Sequence, residues 1–118
     1  MAEWTIESMS DKARDFSITM TACPAGDGSI RAIAGELLAG GLAACVQELP
    51  ITSHYLWKGE VHRDAEVLLL IKGRADCFER IKEVILRLHP YELPEILQLP
   101  VSTGLDRYLA WLGDPTEE

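Results

Sequence analysis

Two amphipathic helical stripes, each set between extended segments, constrain this chain more than any other feature. Ile30, Ile33, Ala34, Leu37 and Leu38 recur at spacings of three, four, seven and eight, and Phe78, Ile81, Ile85 and Leu88 do the same further along. Before the first stripe, Phe16, Ile18 and Met20 alternate with Ser17, Thr19 and Thr21, the period of a half-buried strand. Between the stripes, residues 43–57 and 61–71 are extended and joined only by Lys58-Gly59-Glu60, which predicts a long hairpin. After Pro90 stops the second helix, residues 96–101 form a fourth strand. Leu105, Tyr108, Leu109 and Leu112 then mark a short closing helix.

The order β-α-β-β-α-β-α places the chain in the α+β class, as a ferredoxin-like βαββαβ sandwich with a long hairpin and a short C-terminal helix. One such domain spans residues 16–118, and residues 1–15, polar with scattered apolar points, read as a tail. Pro50 and Pro100 lack the N–H a central ladder needs, so the second and fourth strands are expected at edges or bulges. Two helices cover one face of a four-stranded antiparallel sheet, and another subunit is expected to hide the other. Parity sets the hairpin register: with Tyr55 and Trp57 facing inward alongside Val61, Ala65 and Val67, a three-residue loop is expected. That register puts His54 opposite Asp64 and His62 opposite Leu56, as surface polar pairs. Asp27 or Ser29 is expected to cap the first helix.

Composition excludes several functions. Eleven Lys and Arg against nineteen Asp and Glu leave a net charge of −8, which repels a phosphate backbone, so no nucleic-acid partner is expected. The longest apolar run, at 67–71, is far short of a membrane span. Three widely spaced cysteines without a CxxC pair read as reduced thiols in the cytoplasm, with Cys45 and Cys77 packed and Cys23, beside Pro24, more exposed. The chain has no GxxxxGK[ST], HExxH or GxSxG motif.

The segment His89-Pro90-Tyr91-Glu92-Leu93-Pro94-Glu95 is the most site-like. Its prolines hold an extended turn that presents a histidine, a tyrosine and two carboxylates. An acid–base enzyme would use His89 as base with Glu92 or Glu95 orienting it, but no nucleophile or oxyanion donor pair accompanies them. A structural reading has His89 capping the helix end beside two solvated carboxylates.

Gly41-Leu42-Ala43-Ala44-Cys45-Val46, Tyr55-Leu56-Trp57-Lys58-Gly59-Glu60 with Glu66 downstream, Leu70-Ile71-Lys72, the segment from His89 and Tyr108-Leu109-Ala110-Trp111-Leu112 together resemble the CutA family of divalent-cation tolerance proteins. The resemblance covers about residues 16–112. It implies a cytoplasmic homotrimer that responds to divalent metals such as copper by binding or signalling rather than catalysis, with no required cofactor and an unidentified protein partner possible. It also implies inter-subunit clefts lined by Trp57, Glu66, Lys72, His89, Tyr91, Glu92 and Glu95. Its architecture is similar to that of the PII signalling proteins, so a sensor of a nucleotide or organic anion is the alternative. At the family's copper-ligand positions this chain has Thr21 in place of cysteine and Leu88-His89 in place of a histidine pair. His89, Glu95 and Cys23 are the metal-ligand candidates that remain.

Overall fold

The computed structural model describes residues 15–116, and all of the expected tail at residues 1–15 except Asp15 lies outside them. In chain order the elements are β1 (Phe16–Pro24), α1 (Ser29–Ala39), β2 (Cys45–Trp57), β3 (Glu60–Arg74), a 3₁₀ turn (Ala75–Cys77), α2 (Phe78–Leu88), β4 (Leu97–Pro100) and α3 (Asp106–Gly113). The four strands form one antiparallel sheet in the order β2-β3-β1-β4. Both prolines therefore sit on edge strands, where a missing N–H costs no interior ladder bond.

The helices form where the sequence places them. Asp27 accepts the Ser29 N–H at 2.9 Å, which helps start α1; the N-cap position itself is Gly28. Gly41, at φ +69°, takes the left-handed conformation that lets the chain leave α1 for β2. The buried stripes are Ile30, Ile33 and Leu37 on α1, and Ile81, Val84 and Ile85 on α2. Phe78 and Leu88 are only half-buried, and Val84 takes the place the spacing had given them. These side chains close over Cys23, Leu69 and Ile71 as one core. Each fully buried Leu or Ile in it contributes ~2–3 kcal/mol of transfer free energy.

The sheet has two unlike faces. Odd positions of β1 and β3 point to the helices, so the buried side of β1 is Ser17, Thr19, Thr21 and Cys23, not Phe16, Ile18 and Met20. The apolar side of β1 belongs to the opposite face, where α3 covers one end by packing Gly113 against the Phe16 ring. Beyond α3 that face carries Met20 beside Leu70 and Leu97, Ile18 beside Leu99, and Leu49 beside Leu68. Leu97 is 54% and Leu49 51% exposed.

The hairpin differs from the parity argument. Trp57 pairs with Glu60, the loop has two residues, and Lys58 (φ 51°) and Gly59 (φ 81°) both adopt the left-handed conformation of a twist-matched type I′ turn. Odd positions of β2 therefore face even positions of β3, which puts Tyr55 and Trp57 on the face of Glu66 and away from Val67. Val61, expected inside, is exposed. His54 lies opposite Arg63, and His62 opposite Tyr55 with the rings stacked at 5.3 Å. Asp64 accepts the Tyr55 hydroxyl instead of pairing with His54. Parity failed because it took Tyr55 and Trp57 for core residues.

The hydroxyls of Thr19 and Thr21 are buried beneath the helices without a hydrogen-bond partner among the described residues. A valine of the same shape removes an unpaired polar group. Thr19→Val should raise stability by about 1 kcal/mol in urea unfolding at fixed protein concentration; a loss of stability would show that the hydroxyl is paired in solution.

Candidate ligand pocket

Pro90 excludes the helical conformation for the residue before it, so α2 ends at Leu88 and His89 turns out extended at φ −75°, ψ 137°. The turn drives the His89 imidazole inward, where it is 8% exposed. Its Nδ1 accepts the Tyr91 N–H at 3.1 Å and therefore carries no proton, while Nε2–H donates to the Ala22 carbonyl oxygen at 2.7 Å. His89 thus bridges β1 and the segment that follows α2, with both ring nitrogens occupied by backbone groups.

Tyr91, oriented by this bridge and tilted against the imidazole at 4.8 Å, donates its hydroxyl to Glu66 Oε2 at 2.6 Å. Glu66 stands on β3 and is 6% exposed, so the phenol supplies an acceptor's partner that a buried carboxylate requires. Burial first, and then the bond to Glu66, pushes the Tyr91 phenol well above its ordinary pKa. The Tyr55 phenol is also raised, chiefly by its bond to Asp64.

In front of these groups lies a cavity of about 610 Å³. The hairpin contributes Ser53, His54, Tyr55 and Trp57, β3 contributes Glu66, and the segment after α2 contributes Tyr91, Glu92, Leu93 and Glu95. Trp57, Glu66, Tyr91, Glu92 and Glu95, which the resemblance assigns to an inter-subunit cleft, line one pocket of the single protomer. Tyr55 lines it too and was missed; alternation along β2, which puts Ser53, Tyr55 and Trp57 on one face, is the signal that finds it.

Three expected site residues lie elsewhere. Lys72 is six positions along β3 from Glu66, roughly 20 Å at strand rise, paired with Ile18 and Cys45. His89 stands behind the pocket wall instead of lining it. Cys23, expected to be exposed, is fully buried in the helix-covered core, and burial raises its thiol pKa. Its backbone pairs with Val67, and its side chain belongs to the core with Leu69 and Ile71. Among the described residues no three or more His, Cys, Asp or Glu side chains are grouped to hold a metal ion. The donor set Cys23, His89 and Glu95 is therefore not assembled within one protomer.

The raised Tyr91 pKa gives a signed pH dependence. The neutral phenol is favoured by the fold, so its contribution is complete below a phenol's ordinary value of about 10 and is lost as pH rises towards the folded value. Stability of the native chain should fall as pH is raised above about 10, and Tyr91→Phe should flatten that fall. Identical alkaline slopes in thermal unfolding would remove the Tyr91–Glu66 bond as its cause.

The CutA1 divalent ion tolerance protein family model matches residues 17–115. A divalent-cation tolerance protein CutA from Thermus thermophilus is 47% identical over 87 residues, covering 73% of this chain and 84% of that protein. A CutA homolog from Xenopus laevis is 40% identical over 116 residues, 98% of this chain and 76% of the relative. Among solved structures, the Thermus thermophilus divalent cation tolerance protein superposes with a TM-score of 0.79 at 41% identity, covering 84% of this chain and 96% of its own. A PII-like protein CutA from Nostoc sp. PCC 7120 superposes at 0.76 with 38% identity, covering 86% and 97%. Matched along nearly all of its described length in both sequence and fold, this chain belongs to the CutA1 divalent ion tolerance family.

Proposed function

We propose that the chain is a homotrimeric, non-catalytic binding protein that acts in the cytoplasmic response to divalent metals and carries its ligand in the pocket between hairpin and α2. The observation that carries the binding reading is the state of His89. A general base needs a free ring nitrogen within reach of substrate, whereas here both nitrogens are bonded to backbone and the ring braces the pocket from behind. Copper belongs to this reading at the level of the response. Glu92 and Glu95 are exposed carboxylates at the pocket, but a Cu(I) site needs soft donors and Cys23 is shut in the core. The free thiols of Cys23, Cys45 and Cys77 support a reducing compartment.

The sheet supports assembly. Its uncovered face holds Leu49, Leu97 and Leu99 together with half-buried Met20, Leu68 and Leu70, a contiguous apolar surface of the kind that marks protein contact. Its two edges differ, a 13-residue β2 and a four-residue β4. Joining one to the other is a head-to-tail contact, and a trimer in which it closes into a ring leaves neither edge exposed.

Light scattering should give about three times the 13.1 kDa chain mass, and Leu97→Arg with Leu99→Arg should reduce it to the mass of one chain. A native chain that scatters as a monomer at micromolar concentration would refute the assembly.

A further inference from the structure

Building on the binding reading above, we propose that the pocket takes an organic polycation, an aliphatic diamine or longer polyamine, with ammonium groups on Glu66, Glu92 and Glu95 and the methylene stem against Tyr55, Trp57 and Tyr91. Within one protomer three carboxylates line the cavity and, among the described residues, no Lys or Arg side chain does, the nearby Lys58 ammonium lying over the Trp57 ring, so the wall favours positive charge. A nucleotide or organic anion meets the wrong sign there.

Geometry separates an organic cation from a metal ion. A divalent cation draws its oxygens together at ~2.0–2.6 Å from one point. Among the described residues these carboxylates form no such cluster, and they are spread around a space of about 610 Å³. That is a small-molecule volume, within the ~300–1,000 Å³ of ordinary ligand sites. Charges held apart across such a space fit ammonium groups spaced along a chain.

The walls supply what the stem needs. Aromatic faces attract alkylammonium groups and pack against methylenes. The Trp57 ring already holds one such group, the Lys58 ammonium at 5.6 Å from its centroid. Glu66 is the anchoring residue: the Tyr91 hydroxyl engages Oε2, fixes the carboxylate in place and leaves Oε1 as the acceptor for a ligand ammonium. The surrounding charge of −8 raises the local concentration of any polycation before it docks.

Isothermal titration of the full chain with 1,4-diaminobutane tests this, with 1,4-butanediol as the uncharged isostere and MgCl₂ and ATP as the metal and anion probes. The diamine should bind, its affinity should fall as NaCl is raised, and the other three should give no saturable heat. Glu66→Gln, which keeps an acceptor for Tyr91, should weaken binding about tenfold, the value of one charge-assisted contact, and Trp57→Leu should weaken it several-fold. If Glu66→Gln does not fold, Glu92→Gln with Glu95→Gln at exposed positions carries the same comparison. Saturable heat from butanediol or ATP, no heat from the diamine, or unchanged affinity in the carboxamide variants would overturn the proposal. Light scattering on the same samples separates the two readings: a trimer that ignores the diamine defeats the ligand class alone, whereas a monomer defeats the assembly.

Discussion

The imidazole of His89 connects three parts of this molecule that are distant in sequence, and the pocket depends on that connection. Through Nε2–H it holds the Ala22 carbonyl, 67 residues away on β1, and through Nδ1 it holds the Tyr91 N–H just beyond α2. Tyr91 then reaches Glu66 on β3. Each bond adds only ~0.5–1.5 kcal/mol net, but removing the ring would strand buried backbone groups at ~1–3 kcal/mol apiece. A side chain so placed has a structural reason to be histidine: it is the one residue that presents a planar donor and acceptor on opposite sides of a small ring.

The sheet behind this arrangement is lopsided. Its helix-covered face is closed by α1 and α2 over Leu69 and Ile71, while its other face is capped by α3 only near Phe16. The pocket opens on this second side of the molecule, where Tyr55, Trp57 and Glu66 project from paired strands next to exposed leucines. The proposed assembly and the proposed ligand binding would therefore draw on the same face. A subunit that covered Leu49 and Leu97 would also set how open the pocket is.

Much of the fold was legible because it rests on local periodicity. The strand and helix order, the edge positions of Pro50 and Pro100 and the end of α2 at Pro90 follow from spacing and from proline's missing donor. The hairpin register was not, because alternation shows which residues share a face but not which face is core; Tyr55 and Trp57 are large and aromatic in either setting. The same limit applies to β1, where two threonines and a cysteine occupy the core side and a phenylalanine, an isoleucine and a methionine the other. Of the pocket, Glu66 and the carboxylates after Pro90 were legible from a family pattern, whereas the part played by His89 required knowing that Ala22 lies beside it in space.

His89 braces the pocket as a ring protonated at Nε2, with both nitrogens bonded to backbone groups. The direct measurement is the ¹⁵N chemical shift of the His89 ring nitrogens in labelled protein above neutral pH, recorded before and after addition of Cu(I) or Zn(II). A single Nε2–H tautomer whose shifts do not move with metal is expected; a ring protonated at Nδ1, or one whose shifts follow the metal, would show that His89 is not a backbone brace.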